Sequence, residues 1–127
     1  MKTSTRVTAL VGATALVAVP LSVVAMAPAN ADVDRNGSCG TGTYEFSVDR
    51  ERGGYDLDAS IDNVKPGSTW TFVVRQDGKR LAKVTRTADN EGEVDMDSYA
   101  KNTAGKDTFA FTATSGSVKC GTSITVA

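Results

Sequence analysis

Histidine is absent from the 127 residues of this chain, and cysteine occurs only twice. Without histidine, the Ser-His and Cys-His pairs of nucleophilic catalysis cannot form. A zinc site built from histidine and cysteine is excluded in the same way. Paired carboxylates remain as a catalytic option, but so short a chain has little room for a cleft beside its core. We therefore expect no enzyme, and no catalytic, cofactor-binding or metal-binding residues.

Aromatic residues are scarce, at 6% of the chain. Six of the eight occupy alternating positions of the kind that point into a core, which leaves Tyr99, and after it Tyr55, as candidates for exposure. Carbohydrate recognition would require exposed aromatic side chains as stacking platforms. A protein or a cell-envelope component is therefore the better candidate partner.

The N-terminus has the three parts of a secretory signal peptide. Met1–Arg6 is a basic head, Val7–Met26 is apolar, and Ala29-Asn30-Ala31 matches an A-x-A cleavage site. We predict a signal peptide over residues 1–31, cleaved between Ala31 and Asp32 on the general secretory route. An uncleaved membrane anchor is the alternative, because the apolar run is almost long enough to span a bilayer. Pro20 and the cleavage site argue against it.

The predicted mature chain, residues 32–127, has the size of one small domain. Lys2 and Arg6 belong to the leader, so 12 of the 14 basic residues remain against all 15 acidic ones, for a net charge of −3. Such a mildly acidic chain has no electrostatic footprint for nucleic acid or for an anionic membrane. We expect a secreted domain with neither partner and no membrane span.

Cys39 and Cys120 are the only cysteines, and both lie in the mature part. Two cysteines in a small exported domain indicate one disulfide. Closing a loop of this length stabilises a fold by about 4–5 kcal/mol in the chain-entropy model. Two separate thiols are the alternative.

The segment Asp32–Ser38 matches the first half of a calcium loop, D-x-D-x-N-G. Its twelfth position is Thr43 instead of a bidentate glutamate, and no helical pattern flanks it. The segment is therefore interpreted as a polar terminus, with calcium binding as the alternative.

Alternating apolar and polar residues, separated by turn signals, predict seven strands. Tyr55-Asp56-Leu57-Asp58-Ala59-Ser60-Ile61-Asp62 alternates most clearly, and Trp70, Phe72 and Val74 form the apolar side of another strand. The strands begin near positions 44, 55, 70, 80, 93, 108 and 118. Their even spacing predicts an all-β fold, a single antiparallel β-sandwich of about seven strands.

The hairpin around Asp77-Gly78 has two possible registers. A two-residue turn pairs Phe72 with Lys83. A three-residue loop with a left-handed Gly78 pairs Phe72 with Ala82 and Trp70 with Val84, which keeps the apolar side together. The second register is predicted, with Trp70 at the centre of the core.

Acidic residues alternate along two predicted strands, at Asp56–Asp62 and at Glu91–Asp97. Either stripe would suit a cation or a basic partner. Solvated strand faces, whose charges discourage edge pairing, are the simpler interpretation. The segment from Asp97 to Asp107 is expected to hold one helical turn that ends at Gly105.

Trp70 is placed like the buried tryptophan in the third strand of a known sandwich family, and Phe109-x-Phe111-x-Ala113 is similar to the Y-x-C-x-A of its sixth strand. In these features the mature chain resembles an immunoglobulin-like or fibronectin-III-like β-sandwich. The inter-sheet cysteines are replaced by Leu57 or Ala59 and by Phe111, and Phe109 lacks the hydroxyl of a tyrosine corner. Cys39 and Cys120 would instead join the first strand region to the last. The leader and the small size also resemble small exported actinobacterial proteins.

Sandwich domains hold their sheets rigid and present faces and loops for recognition. The sequence therefore favours a non-catalytic binding module for an extracellular protein or a cell-envelope component. A carrier of a small apolar ligand is the alternative, since actinobacterial chromoprotein apoproteins are similar in size, export and fold class. An exported structural protein is a further alternative.

Overall fold

A computed structural model describes residues 32–127, so the predicted signal peptide, including Ala31, lies outside the described residues. Eight strands make up this part of the chain: Val33–Cys39 (β1), Gly42–Glu51 (β2), Gly54–Asp62 (β3), Thr69–Gln76 (β4), Lys79–Thr87 (β5), Val94–Lys101 (β6), Asp107–Ser115 (β7) and Val118–Val126 (β8). The described part contains no helix with the length and apolar character needed to cross a membrane.

The strands form two four-stranded sheets in which every neighbouring pair is antiparallel. Sheet I has the order β1-β2-β3-β6, and sheet II has the order β5-β4-β7-β8. The predicted all-β antiparallel sandwich is confirmed, with one strand more than expected.

The core lies between the sheets and is filled from the alternating positions that the sequence marks. Trp70, Phe72 and Val74 of β4 are buried, and Trp70 is only 3% exposed. The indole Nε1 of Trp70 donates to Ser68 Oγ at 2.9 Å, which satisfies its one polar atom. Phe111 of β7 packs against Phe46 of β2 with ring centroids 5.0 Å apart. The predicted core position of Trp70 is confirmed.

The disulfide joins Cys39 at the end of β1 to Cys120 of β8, and it therefore connects the two sheets. The Cα atoms are 5.2 Å apart across 81 positions of sequence. The predicted pairing is confirmed. The loop that the disulfide closes is long enough to restrict the unfolded chain strongly.

Strand β1 was not expected, because Asp34, Asn36 and Gly37 are residues that strands usually avoid. Pairing with β2 overrides that preference. The ring of Tyr44, directly opposite Gly37, lies where a Cβ on that glycine would be, 2.8 Å from the Tyr44 hydroxyl. The extended backbone of Val33–Cys39 is incompatible with the tight calcium loop considered for this segment.

The predicted register of the β4–β5 hairpin is wrong by two residues. Asp77 and Gly78 have φ angles of 52° and 86°, which suit a two-residue turn. A register shift between Val74 and Arg75 then pairs Val74 with Ala82 and Phe72 with Val84. The shift acts as a bulge that returns the apolar residues of β5 to the side of Phe72.

The helical turn expected between Asp97 and Asp107 is absent from the described chain, where β6 runs on to Lys101 and an open loop follows. Asp107 anchors this loop from a fully buried position. Its carboxylate accepts hydrogen bonds from Gln76 Nε2 at 3.0 Å, from the backbone N of Thr103 at 3.4 Å and from the Thr103 hydroxyl.

Candidate functional site

The outer surface of sheet I is lined with carboxylates. The buried residues of β2, β3 and β6 alternate with outward-facing ones, and most of the outward positions are acidic. We call this surface the acidic face, and its carboxylates are Asp34, Glu45, Asp49, Glu51, Asp56, Asp58, Asp62, Asp95 and Asp97. Lys101 is the only outward-facing base on these strands within residues 32–127.

Strand pairing places acidic residues of the acidic face directly opposite one another. Asp58 of β3 pairs with Asp97 of β6, and Asp49 of β2 pairs with Asp56 of β3. Like charges directly opposite in a sheet destabilise it by about 0.2–1 kcal/mol. The sheet therefore retains an arrangement that works against its own stability.

The pKa values of two of these carboxyls are raised, first by burial and then by the charges around them. Burial is the largest cause of the raised pKa of Asp58, and the charges of Asp56, Asp97 and Asp95 raise it further. Burial is also the largest cause of the raised pKa of Asp49, and the charge of Asp32 is the next largest. A positive charge placed on this surface would favour the ionised forms of both groups.

A shallow depression of about 270 Å³ lies within the acidic face. Ser47 and Ser60 are short residues at its lining, and longer carboxylate side chains surround them in the register of the sheet. Arg86, near the end of β5, is the one base among the described residues that line it. The carboxylates that line the depression are Glu45, Asp58, Asp95 and Asp97. This arrangement suits a single cationic group better than an apolar one.

Tyr99 is the exposed aromatic residue that the sequence suggested, and its side chain is 48% exposed. It lies on the acidic face, directly opposite Asp56. Its hydroxyl donates to the carbonyl of Arg52 at 3.2 Å, and its ring lies where a Cβ on Gly54 would be. The ring is therefore held in place beside carboxylates, an arrangement that suits contact with a cation.

Tyr55, the second aromatic candidate, is 1% exposed. Its hydroxyl donates to Asn102 Oδ1 at 3.2 Å, and the guanidinium of Arg50 lies 5.0 Å from its ring centroid. Tyr99 is thus the one exposed large aromatic side chain in the described chain, which does not make an aromatic platform.

Asp89, Glu91 and Glu93 form the described group that could hold a metal ion, with one ligand atom from each within 4.8 Å of the others. Asp89 Oδ1 already accepts from the backbone N of Glu91 at 2.9 Å and of Glu93 at 3.0 Å, and so shapes the loop. The charge of Asp62, followed by that of Asp89, raises the pKa of Glu93. All three residues are exposed, as acidic groups without a metal commonly are.

The outer surface of sheet II has the opposite character. We call it the basic face, and its charged residues are Arg75, Arg80, Lys83 and Lys119. Among the described residues, no carboxylate faces outward from the strands of this sheet. Hydroxyl and small side chains fill most of its remaining outward positions, among them Thr71, Thr85, Thr112, Thr114 and Ser123.

Sequence patterns located the acidic stripes of β3 and β6 but not the acidic face as a whole. The stripes became one surface because β3 and β6 pair with each other, although they are separated by β4 and β5 in the chain. The outward stripe of β2, from Glu45 to Glu51, was a third signal in the sequence, and it was not predicted to be acidic. Of the predicted site residues, Cys39 and Cys120 are brought together, and Asp32 begins the described chain just before β1.

Comparison with models of protein families, with curated proteins and with solved structures found no match.

Proposed function

We propose that this chain is a secreted, non-catalytic binding module whose acidic face binds a cationic segment of an extracellular protein. The observation that supports this proposal is the concentration of nine carboxylates on one side of the sandwich, four of which line a depression of about 270 Å³. An anionic cell-envelope polymer would be repelled by the same surface. A lysine- or arginine-rich protein segment is the better match.

The strand order supports the proposed likeness to immunoglobulin-like and fibronectin-III-like domains. In that scheme β2, β3 and β6 take the places of strands A, B and E, and β5, β4, β7 and β8 those of C′, C, F and G. Strand β1 is then an addition at the edge of sheet I. The likeness concerns architecture, and the binding proposal depends on the side chains of the acidic face.

Secretion is the second part of the proposal. Strand β1 begins at Val33, so cleavage after Ala31 would leave all eight strands intact. The inter-sheet disulfide fits an oxidising compartment. We expect protein purified from the medium of a host expressing the full-length sequence to begin at Asp32, with a mass two units below that of the reduced chain.

Electrostatic attraction would dominate the proposed contact. Exposed ion pairs contribute about 0.2–1 kcal/mol each and weaken as salt is added. Several such pairs, together with a cation–π contact at Tyr99, would give an affinity that depends strongly on ionic strength. A protruding ammonium or guanidinium group of the partner would enter the depression, and this fit would add selectivity.

The test is a titration of a fluorescent oligolysine peptide with the exported protein at low salt, in which the fluorescence anisotropy of the peptide reports binding. We expect Asp58→Asn with Asp97→Asn to weaken binding by about tenfold, as the loss of two favourable ion pairs implies. These substitutions relieve repulsion between β3 and β6, so lost affinity would not reflect unfolding.

Glu91→Gln is the matched single-charge control, because Glu91 is an exposed loop residue outside the pairs of the acidic face. It should change the affinity less than Asp58→Asn alone. Equal binding by wild type and by the double variant would exclude the acidic face as the recognition surface.

The second candidate function is transport of a small ligand, as in the chromoprotein apoproteins. The observation that favours it is a crevice of about 170 Å³ lined by Val64, Trp70, Val118 and Cys39 of the disulfide. This volume is below the roughly 300–1,000 Å³ that is usual for small-molecule sites. Native mass spectrometry of protein taken from its own culture medium would detect a retained ligand if this second function were the correct one.

A further inference from the structure

The two charged surfaces lie on opposite sides of one rigid sandwich. The acidic face covers the outside of sheet I, and the basic face covers the outside of sheet II. We infer that copies of this chain stack head to tail, with the acidic face of one copy on the basic face of the next. The inference rests on the proposed function, because it names the chain itself as one cationic partner of the acidic face.

The charges select this arrangement over a symmetric dimer. A two-fold contact between two acidic faces would bring Asp58 and Asp97 of both copies together, and a contact between two basic faces would do the same to Lys83. Like charges held together in this way oppose association. Only a contact between unlike faces places opposite charges against each other.

The basic face also has the shape for close approach. Arg75 lies directly opposite Ala110 in the register of sheet II, and Ala110 lies opposite Ser123. Thr112 and Gly121 form the next row. These short residues let an opposing sheet approach while the longer basic side chains reach across to carboxylates.

The directions of the two faces determine the form of the assembly. Because the surfaces point away from each other, repeated unlike contacts add copies along one line and do not close a small ring. Four strands spaced about 4.8 Å apart, each about eight residues long, give roughly 500 Å² per face. The two surfaces together reach only the lower limit for specific interfaces, so the stack should be weak and dependent on concentration.

The faces act independently at physiological salt. Packed sheets lie about 10 Å apart, and the outward side chains add to the separation of the two charge layers. The Debye length is about 8 Å at 0.15 M ionic strength. The carboxylates of one copy therefore do little to weaken the attraction of its basic face for the next copy.

Sedimentation velocity of the exported protein over a concentration series tests the inference. At an ionic strength of about 0.1 M, where the Debye length is about 10 Å, we expect the weight-average mass to exceed about twice the monomer mass as concentration rises, since an open stack does not stop at a dimer. Salt at about 1 M should return the protein to monomer. A monomer throughout the series at about 0.1 M would overturn the inference.

Two variants, each with two charges removed from one face, provide the decisive control. One carries Asp58→Asn and Asp97→Asn on the acidic face, and the other carries Arg75→Gln and Lys83→Gln on the basic face. Each alone should associate less than wild type. An equimolar mixture should recover association but stop at a dimer, because only one pair of unlike faces remains intact. Mixtures that stay monomeric, or single variants that associate like wild type, would contradict the stacking.

Oligolysine binding separates failure of this inference from failure of the proposed function. The variant with two bases removed from the basic face keeps its acidic face and should bind oligolysine as wild type does. A protein that binds oligolysine but does not stack would retain the proposed function and reject self-association. A protein that neither stacks nor binds oligolysine would reject both.

Discussion

The two sheets have the same interior and different exteriors. Toward the core, both present alternating apolar side chains, such as Leu57 in sheet I and Phe72 in sheet II. Away from it, sheet I presents carboxylates and sheet II presents bases among hydroxyls. The inward positions explain why the chain folds, and the outward positions distinguish what each side can bind. The substitutions below test this division.

The largest effect should come from an inward side chain that contacts residues of both sheets. Phe111 of β7 contacts the rings of Tyr44, Phe46 and Phe72, with centroids 5.0 to 6.5 Å apart. We expect Phe111→Ala to lower the free energy of unfolding by about 3–5 kcal/mol, through lost burial and the cavity left behind. Urea denaturation measures this loss, and a loss below about 1 kcal/mol would show that the inward positions do not dominate stability.

The disulfide should rank next, because it holds the two sheets together at one edge. Replacing both Cys39 and Cys120 with alanine should lower the free energy of unfolding by about 2–5 kcal/mol. Comparing the unfolding of the wild-type protein with and without reductant gives a second measure of the free energy that the disulfide contributes. A stability unchanged by both treatments would indicate that the sheets do not need the connection.

Asp107 should give a smaller effect, since it anchors a loop and does not fill the core. Asp107→Ala leaves Gln76 Nε2 and the Thr103 backbone N without this buried acceptor. The expected loss is about 1–3 kcal/mol. Amide hydrogen exchange should show faster opening of residues 102–106 than of β4, whereas equal protection would contradict the anchoring role.

The smallest effect, with the opposite sign, should come from the acidic face. Asp49 and Asp58 have raised pKa values in the folded state, so the folded protein binds protons more readily than the unfolded chain. Their destabilising effect is fully present above the raised folded pKa values, and it disappears as pH falls below the ordinary aspartate range near pH 4. Asp58→Asn should therefore stabilise the protein at neutral pH by about 0.2–1 kcal/mol.

The control for this effect is Lys83→Gln on the basic face. Lys83 pairs with the uncharged Val73, so its substitution relieves no repulsion between paired charges. It should change stability by less than about 0.5 kcal/mol in either direction. The advantage of Asp58→Asn over wild type should shrink as pH is lowered from 7 toward 4 in thermal or urea unfolding. A destabilising Asp58→Asn, or an advantage that grows in acid, would mean that the carboxylates do not repel one another.

The sequence predicted those features that follow from local alternation or from composition. The inward residues of β3, β4 and β7, the sandwich class and the pairing of the two cysteines all follow from alternation and composition. Pairing between strands that are distant in the chain was harder to predict from the sequence. Strand β1 forms despite its glycine and asparagine, because β2 and the Tyr44 ring support it.

The acidic face illustrates the same limit at the candidate site. Asp58 and Asp97 are each recognisable as members of an acidic stripe, yet only the pairing of β3 with β6 shows that they are neighbours. The bulge beside Val74 is likewise not visible in the alternation of β4, because it lies in the pairing with β5. Recognition surfaces built across several strands depend on topology, which a local pattern does not specify.

Chemical-shift mapping with oligolysine tests the central claim most directly. Spectra of the isotopically labelled exported protein, carrying Arg75→Gln and Lys83→Gln to weaken stacking, are recorded during a titration at low salt and report which backbone amides sense the peptide. We predict that the shifts concentrate on β2, β3 and β6, strongest around Ser47, Asp58 and Asp97, and that in sheet II only Arg86, which lines the depression, responds. Shifts confined to sheet II, or none at saturating peptide, would contradict the assignment of the acidic face as the binding surface.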